Sequence, residues 1–475
     1  MESRILEILI QGGQLITALS LLVILHEGGH FLFAKLFRAR VEKFYLFFDY
    51  KFSIFSTYSN WFRKLIGKAP VPKKENGEYE YQGTEYGVGW IPLGGYVKIS
   101  GMIDESMDKE QMKQPPQPWE FRTKPAWQRL FIMLGGVLMN FLTAFVIYAM
   151  VLFTWGRTYV KSTDMEYGMK FSNEAKNDGF KDGDIIIKID DAIVESWDGR
   201  KLQDISNAKT VTVLRDGGEV VISMPEDMSL LDMLEQEPLY ANVRLPMLID
   251  SVCPGMPADK AGLKKGDRIT AINGKAVGDF NDFQYQLLVL QDVLSENSTH
   301  ADSLRQRTVT LVVNGTDTVK TVLTESFVLG FMNHEPYTDK ITTKKYGFFE
   351  SFPAGVKLGW ETMVSYVDQL KYLFTQKGVR SVGGFIGIGK IFAPVWDWYK
   401  FWMMTAFLSV ALGVMNLLPI PALDGGHAII TFFEMLTGKK PSEKFLERIQ
   451  IVGMWLLLAL MLLANINDVL RLFGV

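Results

Sequence analysis

The chain has 475 residues, 48% hydrophobic and 22% charged, which is more than one ordinary core accommodates, so two to four structural units are expected. With 50 basic against 53 acidic residues the formal charge is -3, a balance that supplies no basic field for a phosphate backbone and argues against nucleic acid as a partner. The single cysteine, Cys253, excludes an internal disulfide and any thiolate metal cluster within one chain, so a bound metal would need nitrogen and oxygen ligands.

Those averages hide unequal regions, because several long windows carry no charge while the middle of the chain is dense with Asp, Glu and Lys. The first uncharged run, Ile8 to Leu25, continues through His26, Glu27 and His30 to about Leu36 and reads as a membrane span rather than a cleaved leader. Leu130 to Trp155 is the strongest span. Phe401 to Leu423 is uncharged and ends in Pro419 and Pro421, and Ile451 to Ala464 needs the flank to Leu470 to cross. The expected fold is a polytopic α-helical membrane protein with four transmembrane helices. Its boundaries fall at 1–37, 126–156, 399–436 and 449–475, with loops at 38–125 and 437–448. Lys35, Arg38, Arg40 and Lys43, then Arg122, Lys124 and Arg129, then Lys439, Lys440, Lys444 and Arg448, flank the spans on one side. Basic residues resist translocation, so these clusters are expected in the cytoplasm, with both termini and the region 156–400 outside.

The outer region contains an internal repeat. Gly179-Phe180-Lys181-Asp182-Gly183-Asp184-Ile185 matches Gly262-Leu263-Lys264-Lys265-Gly266-Asp267-Arg268, and each copy is followed by alternating β-branched stretches that read as half-buried strands. A helix ending in Ala-Gly-Leu, then Lys-Gly-Asp, a strand and an Asn-Gly turn resembles PDZ domains of the bacterial protease type. Two copies are expected, at 157–240 and 241–340. Beyond them, 345–398 reads as amphipathic helices, Ser351 to Lys377, on the outer membrane surface or facing the PDZ-like pair, followed by a glycine-rich segment.

The chemistry concentrates in two places. His26-Glu27-Gly28-Gly29-His30 on the first span puts two imidazoles four residues apart on one helical face, where both can reach one ion, and leaves Glu27 within reach of a bound water. The alternative is a pair of buried histidines bonding backbone carbonyls. A catalytic zinc usually takes three protein ligands. Asp424, in Asn416-Leu417-Leu418-Pro419-Ile420-Pro421-Ala422-Leu423-Asp424-Gly425-Gly426-His427, is the only acid between Phe401 and Thr431, with His427 as the rival ligand. The two prolines should break the helix there, and irregular backbone at membrane depth is tolerated where it lines a cavity.

Taken together, His26 to His30 on the first span and Asn416 to Gly426 on the third closely resemble the site-2 protease family of intramembrane zinc metalloproteases, and the tandem PDZ-like insert is similar to its bacterial members. The resemblance covers nearly the whole chain. It implies Zn2+ held by His26, His30 and Asp424, with Glu27 as the catalytic acid/base. Gly135-Gly136-Val137-Leu138-Met139-Asn140 resembles the family's small-residue and asparagine motif, and Gly89 to Lys98 its membrane-inserted β-hairpin loop, about 87–101. Substrate-binding or transition-state support is accordingly expected from Asn416, Asn140, Trp90, Ile91, Leu93, Gly94, Gly95, Pro419 and Pro421. The segment from Thr57 to Tyr86, with Trp61, Phe62 and a lysine-rich run, is longer than the family's simplest forms.

The implied setting is a bacterial inner membrane, with the active site toward the cytoplasm. The implied partners are transmembrane substrates of the anti-sigma-factor type, already cut by a site-1-type protease, and signal-peptide remnants. A non-catalytic membrane PDZ adaptor with a structural metal site is the alternative, although Glu27 would then have no task. A divalent-cation transporter is a third, although two histidines and one acid form no evident pathway.

Overall fold

The four apolar runs fold as four helices long and apolar enough to cross a membrane. The computed structural model describes residues 2–73, 79–92, 94–102, 115–198, 200–226, 228–294, 299–439 and 441–472. They form two compact units, Met1–Gly156 with Lys345–Val475, and Arg157–Lys344.

In the first unit the elements that frame the site are, in chain order, the helices α1 (Glu2–Leu36), α2 (Asn60–Leu65), α3 (Ala126–Thr154), α4 (Phe348–Gln369), α5 (Trp398–Leu417), α6 (Asp424–Thr437) and α7 (Glu443–Leu472). The strands are β1 (Val41–Leu46), β2 (Phe55–Ser56), β3 (Glu85–Val88) and β4 (Tyr96–Ile99). Helix α3 is the centre of the bundle, and its contact with α1 depends on having no side chains at the crossing. A Cβ on Gly29 would lie 2.2 Å from the Gly135 carbonyl oxygen, and one on Gly135 2.7 Å from that of Gly29. In lipid, where the hydrophobic effect does not draw helices together, such close backbone approach is what holds a pair. Helix α4 meets α3 in the same way: a Cβ on Gly355 would lie 2.5 Å from the backbone nitrogen of Ala149. Its small-residue stripe of Ser351, Gly355 and Gly359 is buried, and Phe349, Phe352, Val356 and Trp360 face outward.

Two expectations are revised. The third span, expected over 399–436, is two helices, because Pro419 and Pro421 lack the amide hydrogens that would continue α5. Residues 418–423 form the break, and Ala422 within it has φ 77°, a left-handed conformation that a side chain disfavours. The loop at 87–101 is not a β-hairpin: the sheet order is β2-β3-β1-β4, so β1 lies between the two flanking strands, parallel to β3 and antiparallel to β4. β3 ends beside the end of β1 and β4 begins opposite that same end, on the other side of β1, which leaves β4 at the sheet edge.

The second unit contains the repeat. Strands Ile185–Ile189, Ala192–Ile193, Thr210–Arg215 and Gly218–Ser223 form one four-stranded sheet, and Ile269–Ile272, Lys275–Ala276, Thr308–Val313 and Asp317–Val322 form another with the same order. Ala241–Val243 pairs back onto Met169–Phe171, so the first module runs slightly past the expected boundary at 240. Lys170, buried between the modules, contacts Asp182 of the first and Asp279 and Asp282 of the second. Burial opposes its charge, but the bonds to Asp282, Asp182 and Asp279 outweigh that and hold the ammonium above its usual range.

Candidate active site

Because α1 is an unbroken helix, His26 and His30 project from one face toward α3, into space that Gly136 leaves free: a Cβ there would lie 2.5 Å from both His26 Cε1 and His30 Nε2. Asp424 arrives from the far side as the first residue of α6, where the exposed amide ends of the helix favour a carboxylate. The helix can start there because Gly425 and Gly426 let the broken segment fold back; a Cβ on Gly425 would lie 2.4 Å from the carbonyl oxygens of Leu417 and Leu418.

His26 Nε2 and His30 Nε2 are 3.3 Å apart, and Asp424 Oδ2 lies 3.2 Å from the first and 3.4 Å from the second. A tetrahedral zinc with bonds of about 2.0–2.1 Å needs ligand atoms about 3.3 Å from one another, so the three atoms form one face of such a site. Asp424 Oδ2 is buried without an aligned hydrogen-bond donor, as expected of an oxygen that awaits a cation. His427, the rival ligand, lines the neighbouring cavity but does not join this group, which is the one metal-capable cluster among the described residues.

The ring hydrogens follow from the neighbours. His30 Nδ1 lies 2.8 Å from the Ile132 carbonyl oxygen, which can only accept, so Nδ1 donates and Nε2 of the neutral ring keeps its lone pair. His26 Nδ1 lies 3.1 Å from the side-chain amide of Asn140, a fully buried residue whose Oδ1 has no partner while its Nδ2 faces the ring. Turning the amide over gives Oδ1 the Nδ1 hydrogen and leaves His26 Nε2 bare as well.

A cavity of ≈ 680 Å³ opens beside this cluster and is lined by Glu27, Asn416 and the segment from Gly94 to Ile99 that leads into and includes β4. The Val97 N–H points at the Glu27 carboxylate, and Gly95 lets the chain pass close to β1 and α1 beside it: a Cβ there would lie 2.7 Å from the Tyr45 carbonyl oxygen and 2.8 Å from Val23 Cγ1. Of the residues expected to support substrate, Asn416, Gly94 and Gly95 line the cavity. Asn140 is behind His26 instead. Trp90 turns outward, stacked on Phe52 with its Nε1 donating to the Tyr50 carbonyl oxygen, and Ile91 bridges to Phe48. Pro419 and Pro421 shape the break rather than the cavity wall; Pro421 packs on Gly453 of α7. Leu93 lies outside the described residues. Residue-level reading missed Gln450, a buried polar side chain on α7 that also lines the cavity; its signal was a lone amide where the last apolar run begins.

Residues 76–460 match peptidase family M50. Protease RseP of Yersinia pestis is 30% identical over 481 aligned residues that cover 96% of this chain and 98% of that protein. The regulator of sigma E protease of Haemophilus influenzae is 28% identical, covering 97% of this chain and 98% of its own length. A match over most of the sequence, with end-to-end similarity to two proteases, places the chain in peptidase family M50 as an intramembrane zinc metalloprotease of the site-2 type, the class that carries out regulated intramembrane proteolysis.

Proposed function

We propose that His26, His30 and Asp424 hold the zinc ion and that Glu27 is the general base and acid for hydrolysis of a peptide bond inside a single-span substrate. The observation that carries this is the ligand triangle of 3.2, 3.3 and 3.4 Å lying beside Glu27 in one cavity. Zinc, when bound, supplies Lewis acidity that acidifies a water and polarises the scissile carbonyl. Glu27 takes the water proton on its carboxylate and delivers it to the leaving amine. Asn416 faces the cavity and donates from Nδ2 to the oxyanion, while Asn140, facing the back of His26, positions that ring.

A helical substrate hides its carbonyls in its own hydrogen-bond ladder and must unwind. The open edge of β4 offers replacement bonds: the Val97 N–H already points at Glu27, so an extended chain added along this edge passes over the catalytic residue. A substrate with N-methyl amides at alternate positions around the cleaved bond is expected to lose about tenfold in rate where the amide donates to β4, the worth of one hydrogen bond, and little at the positions between. Equal losses at every position would remove the strand-addition idea.

The basic clusters after α1, before α3 and between α6 and α7 support a cytoplasmic site, with the termini and the second unit extracytoplasmic in a bacterial inner membrane. The two modules of that unit are PDZ-like and act as a size filter. The name of one relative, regulator of sigma E protease, supports substrates of the anti-sigma type, and the same proposal takes these as trimmed first by an outer protease and includes signal-peptide remnants. Residues 157–159 pair with 342–344, so the ends of the unit return side by side and a short linker can replace it. That deletion is expected to keep cleavage of trimmed substrates and to add cleavage of untrimmed ones; loss of cleavage of trimmed substrates would favour recruitment over filtering.

A further inference from the structure

We infer that α2 is an interfacial foot that seats the β-sheet on an anionic phospholipid surface, at the leaflet reached by the carboxy-terminal end of α1. The helix is capped by Ser59, whose hydroxyl accepts from the Phe62 amide, and it has two sides. Phe62 turns inward, edge-on to Phe55 with ring centroids 4.8 Å apart. Trp61 and Leu65, four residues apart and so on one side of the helix, are each 70% exposed, and Ile66 extends the patch.

The sheet determines what this patch looks toward. Cross-strand partners share a face. Phe55 pairs with Val88, and Tyr86, two residues before Val88, is on that face and pairs with Phe44. Phe44 and Tyr86 pack against Phe31 of α1, with centroids 5.5 and 6.1 Å away. The face that carries α2 is therefore the face that meets a membrane-length helix, whose own Leu32 and Leu36 are exposed nearby in sequence. Lys35, in the last turn of α1, donates to Thr84 Oγ1 and ties the start of β3 to the same end.

Charge selects the occupant. From Tyr50 to Lys73 the chain has Lys51, Arg63, Lys64, Lys68 and Lys73 and no acidic residue, and Lys64 and Lys68 are exposed beside the apolar patch. A tryptophan and aliphatic side chains rimmed by ammonium groups match the headgroup boundary of an anionic bilayer, where rings sit at the interface and lysines meet phosphates. The spans of the same unit hold this surface beside a bilayer permanently, so the bilayer meets it at a high effective concentration. A consequence is that the sheet, and β4 with it, is held at a set depth; the inference itself needs only the contact between the sheet and α1.

The test uses the full-length protein in nanodiscs with Cys253→Ser and a nitroxide at Leu65→Cys, compared with a nitroxide at Val221→Cys, an exposed position in the second unit. The ratio of oxygen to nickel-chelate collision is expected to be severalfold higher at residue 65 than at residue 221. It should rise further when phosphatidylglycerol is added to phosphatidylcholine, and Lys64→Gln with Lys68→Gln should abolish that rise. A ratio at residue 65 equal to that at 221, or one indifferent to phosphatidylglycerol, overturns the inference.

Discussion

Replacing Glu27 with glutamine is expected to slow cleavage of a membrane-embedded reporter by about 10²–10⁴-fold, the usual worth of a positioned proton carrier, with zinc content unchanged. The substitution is nearly isosteric, and the amide oxygen of glutamine can still accept the Val97 N–H, so the contact between α1 and β4 survives. The glutamine has no site of useful basicity. Cleavage and elemental analysis of the same purified sample separate the two effects: lost cleavage with one zinc retained supports the role, and wild-type cleavage would end it. Stripping the metal with a chelator should bring the wild type down to the level of the variant and change the variant little. Lost zinc in the variant would instead make Glu27 part of the metal-holding structure.

Much of this site could be anticipated because its parts are local. The i,i+4 spacing of His26 and His30 is a property of any helix, and Asp424 is the only acid in a long uncharged stretch that two prolines interrupt. What could not be read was pairing at a distance. Parallel pairing of β1 with β3 and antiparallel pairing with β4 leave no period in the sequence, and the resemblance that implies a hairpin at the glycine-rich connection does not carry the strand order, which puts β1 between the two flanking strands. The asparagines were ambiguous for a related reason: a helical side chain's target depends on rotation about the helix axis, which packing sets. One signal was present. Asn140 lies four residues after Gly136, and the position that must be bare to admit both imidazoles shares its face with the residue that touches one of them.

That shared face leads to the second large effect, on metal affinity. Asn140→Leu removes the group behind His26 with little change in volume, leaving Nδ1 without an acceptor and the ring free to turn or to take its other hydrogen position. Zinc affinity, measured by competition with a chromogenic chelator, is expected to fall about 10–100-fold, the typical cost of losing such a partner. Asn140→Asp restores an acceptor and should recover most of the affinity, which a merely structural role for the amide would not predict. The main-chain oxygen of Asn140 accepts from Ser409 Oγ, and both variants keep that bond, so the contact between α3 and α5 is not the quantity being changed. Thermal unfolding of the zinc-free proteins checks this point. Equal unfolding temperatures with weakened zinc binding in the leucine variant place the defect at His26, whereas wild-type zinc affinity in that variant would show that the ring keeps its orientation without Asn140.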